Sequence, residues 1–162
     1  MALPTGIATF RSIVRKYPSR DPKKILLDLA TSSREPGRWF AAAKEAGFLD
    51  LALEFAHTGR VDPRTLSRAS RDLLKKDACF CLEVGRLAIQ RIVERYGYEL
   101  IGMDVINAYN FFMAAAQTLG IASQARADLL ATATKQPGAA SDILIRQCSV
   151  DPRGRESPAT QG

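Results

Sequence analysis

The stretch WFAAAKEAGF at residues 39–48 returns as FMAAAQTLGI at residues 112–121. Each copy begins with an aromatic residue, continues through three alanines and reaches a glycine near its end. Alanine has the highest helix propensity, and glycine supplies the left-handed residue at which many helices end. Two helices joined at such a glycine cannot bury their apolar faces alone, so neighbouring pairs have to stack. The repeat therefore predicts a scaffold of stacked antiparallel helical hairpins.

Helix starts and ends are marked along the rest of the chain. Asp21-Pro22 and Asp62-Pro63 are each typical of an N-cap carboxylate followed by proline at the first helical position. Together with the glycines and the 3.6-residue spacing of apolar positions, these signals predict a series of helices. The predicted helices cover residues 5–17, 21–33, 36–46, 48–58, 62–76, 78–96, 103–119, 122–134 and 139–147.

We therefore predict an all-α fold, either a short α-solenoid of hairpins or a compact helical bundle. Residues 1–148 are expected to form a single α-helical repeat domain, since a chain of 162 residues suits one domain. Residues 149–162 are rich in proline, glycine, serine and arginine, which predicts a disordered polar tail. The core should include the large side chains that head the two copies: Trp39, Phe40, Phe111, Phe112 and Met113.

The composition limits where the chain is expected to work. No segment reaches the roughly 18 apolar residues that a membrane span needs. The first residues also lack the charged and then apolar layout of a secretory signal. Three cysteines, an odd number, give no disulfide framework. We expect a cytoplasmic protein with no membrane partner.

The sequence gives little support for catalysis. The single histidine, His57, precedes Thr58 and Gly59 at the predicted end of a helix, where an imidazole commonly caps the last carbonyls. The sequence contains no nucleophile elbow, no phosphate loop and no His-Glu-x-x-His motif. We therefore predict no catalytic residue, no metal ligand and no cofactor, and we expect the protein not to be an enzyme.

The formal charge of +6 is concentrated in two stretches. On the helix predicted over residues 62–76, four basic residues recur at i, i+4, i+7 and i+11. At 100° per residue they share an arc of about 60°. They form the predicted basic ridge: Arg64, Arg68, Arg71 and Lys75. A second basic cluster lies near the N-terminus: Arg11, Arg15, Lys16, Arg20, Lys23 and Lys24.

The predicted basic ridge is a candidate surface for an anionic partner. Like charges four residues apart repel each other, so the ridge does not serve helix stability. The planar arginine head binds carboxylate or phosphate through two hydrogen bonds at once. The ordinary alternative is a solvated face on which some arginines pair with acids of an adjacent helix. Because aromatic residues are not interleaved with the basic ones, the usual platform for stacking single-stranded bases is missing.

The first copy resembles a known helical repeat. AAAKEAGF at residues 41–48, followed by DLALEFA at residues 50–56, resembles a tetratricopeptide-type hairpin. In that family a small residue and a glycine end the first helix, and an alanine of the second helix packs against it. The resemblance covers residues 36–58 and, more loosely, residues 103–130. It implies a similar helical-hairpin architecture for this chain.

A second resemblance is to the helical segment that follows a zinc-binding domain in some bacterial proteins of unknown role. WFAAAK at residues 39–44, DPRTLSRA at residues 62–69 and RYGYE at residues 95–99 carry it. This sequence contains no zinc-binding motif of its own. The resemblance therefore implies an accessory helical module.

These features predict a non-enzymatic protein-interaction or adaptor module whose partner presents an acidic surface or a helix. The alternative is a nucleic-acid-binding accessory protein whose basic helix face contacts phosphates without reading sequence. A third class is an enzyme with an unrecognised site. A short solenoid also has exposed ends, and an uncapped apolar end allows a homodimer.

Overall fold

The computed structural model describes residues 6–94 and 100–150. Every regular element in these two ranges is a helix, which confirms the all-α prediction. A 3₁₀ helix, Pro36–Trp39, leads directly into the third α-helix. The α-helices are α1 (Gly6–Lys16), α2 (Pro22–Ser32), α3 (Phe40–Glu45), α4 (Leu49–Thr58), α5 (Pro63–Asp72), α6 (Ala78–Val93), α7 (Gly102–Thr118), α8 (Ala122–Lys135) and α9 (Ala139–Ser149).

Contacts within the chain define two compact units, residues 1–61 and residues 62–162. Helices α1 to α4 belong to the first unit, and α5 to α9 belong to the second. The predicted single domain over residues 1–148 and the predicted tail over residues 149–162 stay predictions. Residues 151–162 lie outside the described part of the chain.

The two copies of the repeat form the same turn. The chain leaves α3 through Gly47 at φ 86° and leaves α7 through Gly120 at φ 73°, both in the left-handed region. In each copy the N–H after the glycine donates to the carbonyl five residues back at 2.9 Å, and the glycine N–H donates three residues back at 3.1 Å. This pair of bonds is a Schellman-type helix end. Each alanine-rich helix therefore stops at the glycine that the sequence predicts.

The predicted N-caps of α2 and α5 are confirmed. The Asp21 carboxylate accepts a hydrogen bond from the Lys23 N–H at 3.1 Å, and a proline occupies the first helical position. The Asp62 carboxylate accepts from the Arg64 N–H at 2.8 Å in the same arrangement. Each carboxylate satisfies one of the N–H groups that the first turn of a helix leaves without a partner.

The end of α5 differs from the prediction. The helix ends at Asp72 and does not continue to residue 76. The carbonyl of Leu73 accepts hydrogen bonds from the N–H groups of Lys76 and Asp77, which closes a turn. Asp77 then caps α6 by accepting from the N–H of Phe80 at 2.9 Å. The basic residues keep their helical spacing as far as Lys75, but the helical conformation of the backbone ends at Asp72.

Helix α6 packs against α5 and α7 in the core of the second unit. A Cβ on Gly85 would lie 2.9 Å from the Ser70 hydroxyl and 3.4 Å from the Phe112 Cα, so the three helices approach closely where this side chain is missing. The 3.6-residue spacing of apolar residues predicts one buried side for α6, and Tyr96, its last member, lies outside the described residues. The other members of this side are all buried: Cys81, Leu82, Gly85, Ala88, Ile89, Ile92 and Val93.

The large side chains that head the first copy fill the core of the first unit. Trp39 and Phe40 are buried, as the sequence predicts. The alanines behind them are buried as well: Ala42, Ala43, Ala52 and Ala56. Small side chains at these positions let α3 and α4 pack closely beside the turn at Gly47.

Candidate anion-binding cleft

Three of the four predicted ridge residues line one recess. Arg64, Arg68 and Arg71 project from α5 toward α7 and line a cavity of about 130 Å³, which we call the α5–α7 cleft. Lys75, the fourth predicted member of the ridge, does not line the cleft and lies beyond the end of α5 at Asp72. The arc of about 60° predicted for the arginines holds because they lie within one regular helix.

Arg64 holds a carboxylate inside the α5–α7 cleft. Its Nε lies 3.2 Å from an oxygen of Asp104 on α7. Asp104 also accepts a hydrogen bond from the Ile101 N–H at 3.0 Å, so it closes the first turn of α7. The Asp104 side chain is 20% exposed and that of Arg64 is 39% exposed, so the pair is partly shielded from water. The cleft therefore already contains one arginine–carboxylate contact.

Arg71 stands at the other end of the α5–α7 cleft. Its guanidinium lies 5.8 Å from the centre of the Phe111 ring, a distance typical of a cation–π contact. Its Nε also lies 2.7 Å from an oxygen of Asp72, and this hydrogen bond and charge raise the pKa of Arg71. The ring and the carboxylate together restrict the orientation of a long side chain that is otherwise exposed.

Arg68 lies between the other two arginines and is exposed. Within residues 6–94 and 100–150 it takes part in no salt bridge. Its neighbours in the lining include the buried Ser67 and, on α7, Asn107. A hydroxyl and an amide both donate hydrogen bonds, so the cleft offers neutral donors beside its charged ones.

Sequence analysis missed the α7 side of the cleft. Phe111 was predicted to be core like Phe112, which is wrong, since Phe111 is only half-buried and faces Arg71. Asp104, Asn107 and Phe111 recur at i, i+3 and i+7, and this spacing alone could have indicated a shared face. The sequence does not show that this face of α7 packs beside the arginines of α5.

The second basic cluster is partly neutralised. Arg11 forms a salt bridge with Glu45, and the Lys23 Nζ lies 2.8 Å from an oxygen of Asp50. Two further cations lie against an aromatic ring that sequence analysis did not consider. The Tyr17 ring centre lies 5.5 Å from Lys16 and 5.8 Å from Arg20. The remaining two members, Arg15 and Lys24, are exposed.

A wider groove lies elsewhere in the second unit, between α6 and α8. Its volume is about 350 Å³, and its apolar lining includes Ile89, Phe112 and Leu129. On its rim, Arg86 lies 3.6 Å from an oxygen of Asp128 and 5.8 Å from the centre of the Phe112 ring. The charges on this rim are of both signs, so the groove does not select an anion.

The described residues show few other groups that could carry chemistry. Within them, no three His, Cys, Asp or Glu side chains lie close enough together to hold a metal ion. His57 lies in the last turn of α4, where it was predicted, and is exposed. Burial raises the pKa of the Cys81 thiol to about 11, which keeps this side chain protonated. No helix in residues 6–94 and 100–150 is long and apolar enough to cross a membrane.

Comparisons with protein families, with curated proteins and with solved structures gave no match for this chain. The α5–α7 cleft is therefore interpreted from its own geometry. It brings three guanidinium groups, a hydroxyl, an amide and an aromatic ring around one recess.

Proposed function

We propose that this protein is a non-enzymatic interaction module that binds an acidic segment of a partner protein through the α5–α7 cleft. One observation carries the proposal: three arginines share one recess, and one of them, Arg64, already holds the carboxylate of Asp104 at 3.2 Å. A glutamate or aspartate of a partner would present the same group to the neighbouring Arg68. Ser67 and Asn107 add hydrogen-bonding groups to the lining, and Phe111 adds a ring.

The dimensions of the cleft favour a protein partner over a nucleic-acid backbone. Arg64 and Arg71 are seven residues apart, which corresponds to about 10 Å along the helix. Proteins that bind DNA through its charge commonly contact about 6–10 phosphates along the backbone. Because Lys75 lies beyond the helix, three cations and one aspartate remain, which is a short track for a continuous polyanion.

The scaffold supports the same proposal. The Schellman-type turns at Gly47 and Gly120 follow the hairpin pattern of tetratricopeptide-like adaptors, to which the sequence bears a resemblance. The three cysteines are free thiols, which is typical of a reducing compartment and supports a cytoplasmic location.

The test is binding of a labelled glutamate-rich peptide, followed by fluorescence anisotropy at low and at physiological salt. We expect binding that the double variant Arg64→Glu with Arg68→Glu abolishes, because two attractive charges become repulsive. The matched control is Lys75→Glu with Lys76→Glu, which makes the same change of charge outside the cleft. The proposal is overturned if the peptide does not bind, or if both double variants weaken it equally.

A second candidate function is nucleic-acid association through the first unit. The observation that favours it is Tyr17, which is 42% exposed and lies against Lys16 and Arg20. An exposed ring between cations is the arrangement on which single-stranded bases stack. Labelled single-stranded RNA tests this candidate across a salt series. A strong fall in affinity with salt and a loss on Tyr17→Ala would support it, and no binding at low salt would exclude it.

A further inference from the structure

We propose that the ligand of the α5–α7 cleft is a phosphate monoester, carried by a phosphorylated serine or threonine of the partner protein. This inference rests on the proposed function and makes it more specific. It follows from the charge, the donors and the size of the recess.

The cations of the cleft outnumber its carboxylates. Three arginines and Asp104 line the cleft, and Asp72 pairs with Arg71 beside it, so three positive charges face two negative ones. A phosphate monoester carries about −1.5 to −2 at pH 7, whereas a carboxylate carries only −1. One carboxylate, that of Asp104, is already present beside Arg64. Arg68 is the ridge arginine that has no carboxylate partner among the described residues, and a phosphate monoester brings more negative charge to it than a partner carboxylate would.

The donors of the cleft come from two helices, and a phosphate monoester offers them more acceptor oxygens than a carboxylate does. Arg68 has no acidic partner among the described residues, and its guanidinium provides a fork of N–H groups. Ser67 and Asn107 add a hydroxyl and an amide to the same lining. A phosphate monoester presents three strong acceptor oxygens, while a carboxylate presents two oxygens. Donors on both α5 and α7 can therefore reach the same group.

The recess favours a terminal group over a diester. A cavity of about 130 Å³ admits a compact head group and the atoms next to it. In a nucleic-acid backbone each phosphate is a singly charged diester with sugars on both sides, so it cannot enter end-on. Phe111 and its cation–π contact with Arg71 form one wall. Such a wall suits the short apolar stem of a phosphorylated side chain.

The experiment compares three versions of one short labelled peptide that carries a serine, a glutamate or a phosphoserine at the same position. We expect the phosphoserine peptide to bind at least about tenfold more tightly than the glutamate peptide, and the serine peptide to bind weakest. Equal or weaker binding of the phosphoserine peptide overturns this inference and leaves the proposed function standing. If neither anionic peptide binds at low salt, both proposals fall.

A pH series gives a second and independent reading. The second ionisation of a phosphate monoester has a pKa of about 6, so affinity for the phosphoserine peptide should rise between about pH 5 and pH 7.5. The glutamate peptide is ionised over most of this range, and its affinity should change little. The protein's own charges are common to both titrations, so the difference between the peptides reports the ligand. Parallel pH profiles would contradict the inference.

Two variants test whether the phosphoserine peptide binds in the α5–α7 cleft, and one further probe tests which class of molecule carries the phosphate. Arg68→Ala should lower the affinity for the phosphoserine peptide about tenfold or more, whereas the matched control Lys75→Ala should leave this affinity unchanged. Both residues are exposed, so circular dichroism is expected to show an intact fold. A 5′-phosphorylated oligonucleotide is the remaining probe. If it binds more tightly than the phosphoserine peptide, the phosphate comes from nucleic acid and the protein source is wrong.

Discussion

The α3–α4 hairpin and the α7–α8 hairpin share a turn but differ in what their second helices bury. In both, the helix ends at a left-handed glycine with the same pair of hydrogen bonds. Seventy-three residues separate the copies (112 − 39), and the same offset pairs Phe55 with Asp128. Phe55 is buried in α4, whereas Asp128 lies on the rim of the groove beside α6. The turn is therefore set by local sequence, while the burial of each helix is set by its neighbours.

The difference explains why a groove exists in the second unit. Asp128 accepts a hydrogen bond from the Gln124 amide at 2.9 Å and lies 3.6 Å from Arg86. These polar contacts keep its side chain at the surface, where the equivalent α4 position contributes a phenyl ring to the core. Leu129, one residue further, supplies part of the apolar lining. A single turn of α8 thus faces both water and the groove.

The largest expected effect comes from exchanging these two side chains. Phe55→Asp should lower the free energy of unfolding by about 5 kcal/mol or more, because it removes a buried ring and buries an unpaired charge. Asp128→Phe should cost less than about 1 kcal/mol, because its side chain is 42% exposed and has the groove beside it. Urea unfolding followed by circular dichroism measures both. Similar costs for the two variants would contradict the difference in burial between α4 and α8.

The aromatic residues that head the copies should be equivalent. Trp39 and Phe112 occupy the same position in the repeat and are both buried. Trp39→Ala and Phe112→Ala should each lower the free energy of unfolding by about 3–5 kcal/mol, through lost burial and a cavity. The Trp39 Nε1 is buried without a hydrogen-bond partner among the described residues, so Trp39→Phe is the matched control. We expect that control to cost less than about 1.5 kcal/mol.

Thermal unfolding followed by circular dichroism compares these variants with the parent protein. A cost below about 1 kcal/mol for either alanine variant would mean that the side chain is not a core anchor. A large cost for Trp39→Phe would indicate that the indole N–H has a partner, and it would contradict the packing described here.

Intermediate effects are expected at the two turn glycines. Apart from the adjoining residues, no atom of the described chain lies within 4 Å of a Cβ built on Gly47 or Gly120, so a side chain would meet no obstacle from the rest of the fold. The cost of Gly47→Ala or Gly120→Ala should therefore come from the left-handed backbone alone, about 1–2 kcal/mol in each case. Asparagine tolerates this conformation better and should cost less at both sites. Unequal alanine costs would show that the two turns are not equivalent.

Sequence reasoning succeeds where the signal is local. The glycine turns and the caps at Asp21 and Asp62 depend on residues within one or two helical turns, and all of them are present in the structure. The end of α5 was missed because the basic spacing runs on to Lys75, while the backbone turns at Leu73. Charge periodicity reports a face only as far as the helix itself extends.

The candidate cleft was only half predictable. The arginines of α5 are evident from their spacing, but their partners on α7 are about 40 residues further along the chain. Asp104 closes the first turn of α7, and its second contact, with Arg64, depends on how the helices pack. Without a matching relative, one sequence cannot indicate that packing.

The smallest change in the free energy of unfolding is expected at a pH-dependent contact that the first hairpin has and the second lacks. Asp50 at the start of α4 lies 2.8 Å from the Lys23 Nζ, and the equivalent residue of α8 is Ser123. The hydrogen bond from Lys23, supported by the Leu51 backbone N–H, lowers the pKa of Asp50 below its ordinary value. The ionised carboxylate is therefore favoured in the folded protein. This contribution is present above the unfolded-state pKa and is lost as the pH falls through the folded-state pKa.

Asp50→Asn should cost less than about 0.5 kcal/mol at pH 7, because the pair is exposed to water and screened by salt. The cost should fall to zero in acid, once the Asp50 carboxyl of the parent protein is protonated. Urea unfolding monitored by the fluorescence of Trp39, the single tryptophan, reports on the first unit. Combining Asp50→Asn with Lys23→Gln completes a double-mutant cycle that isolates the contact. A cost that persists unchanged in acid would assign the effect of Asp50 to helix capping and not to Lys23.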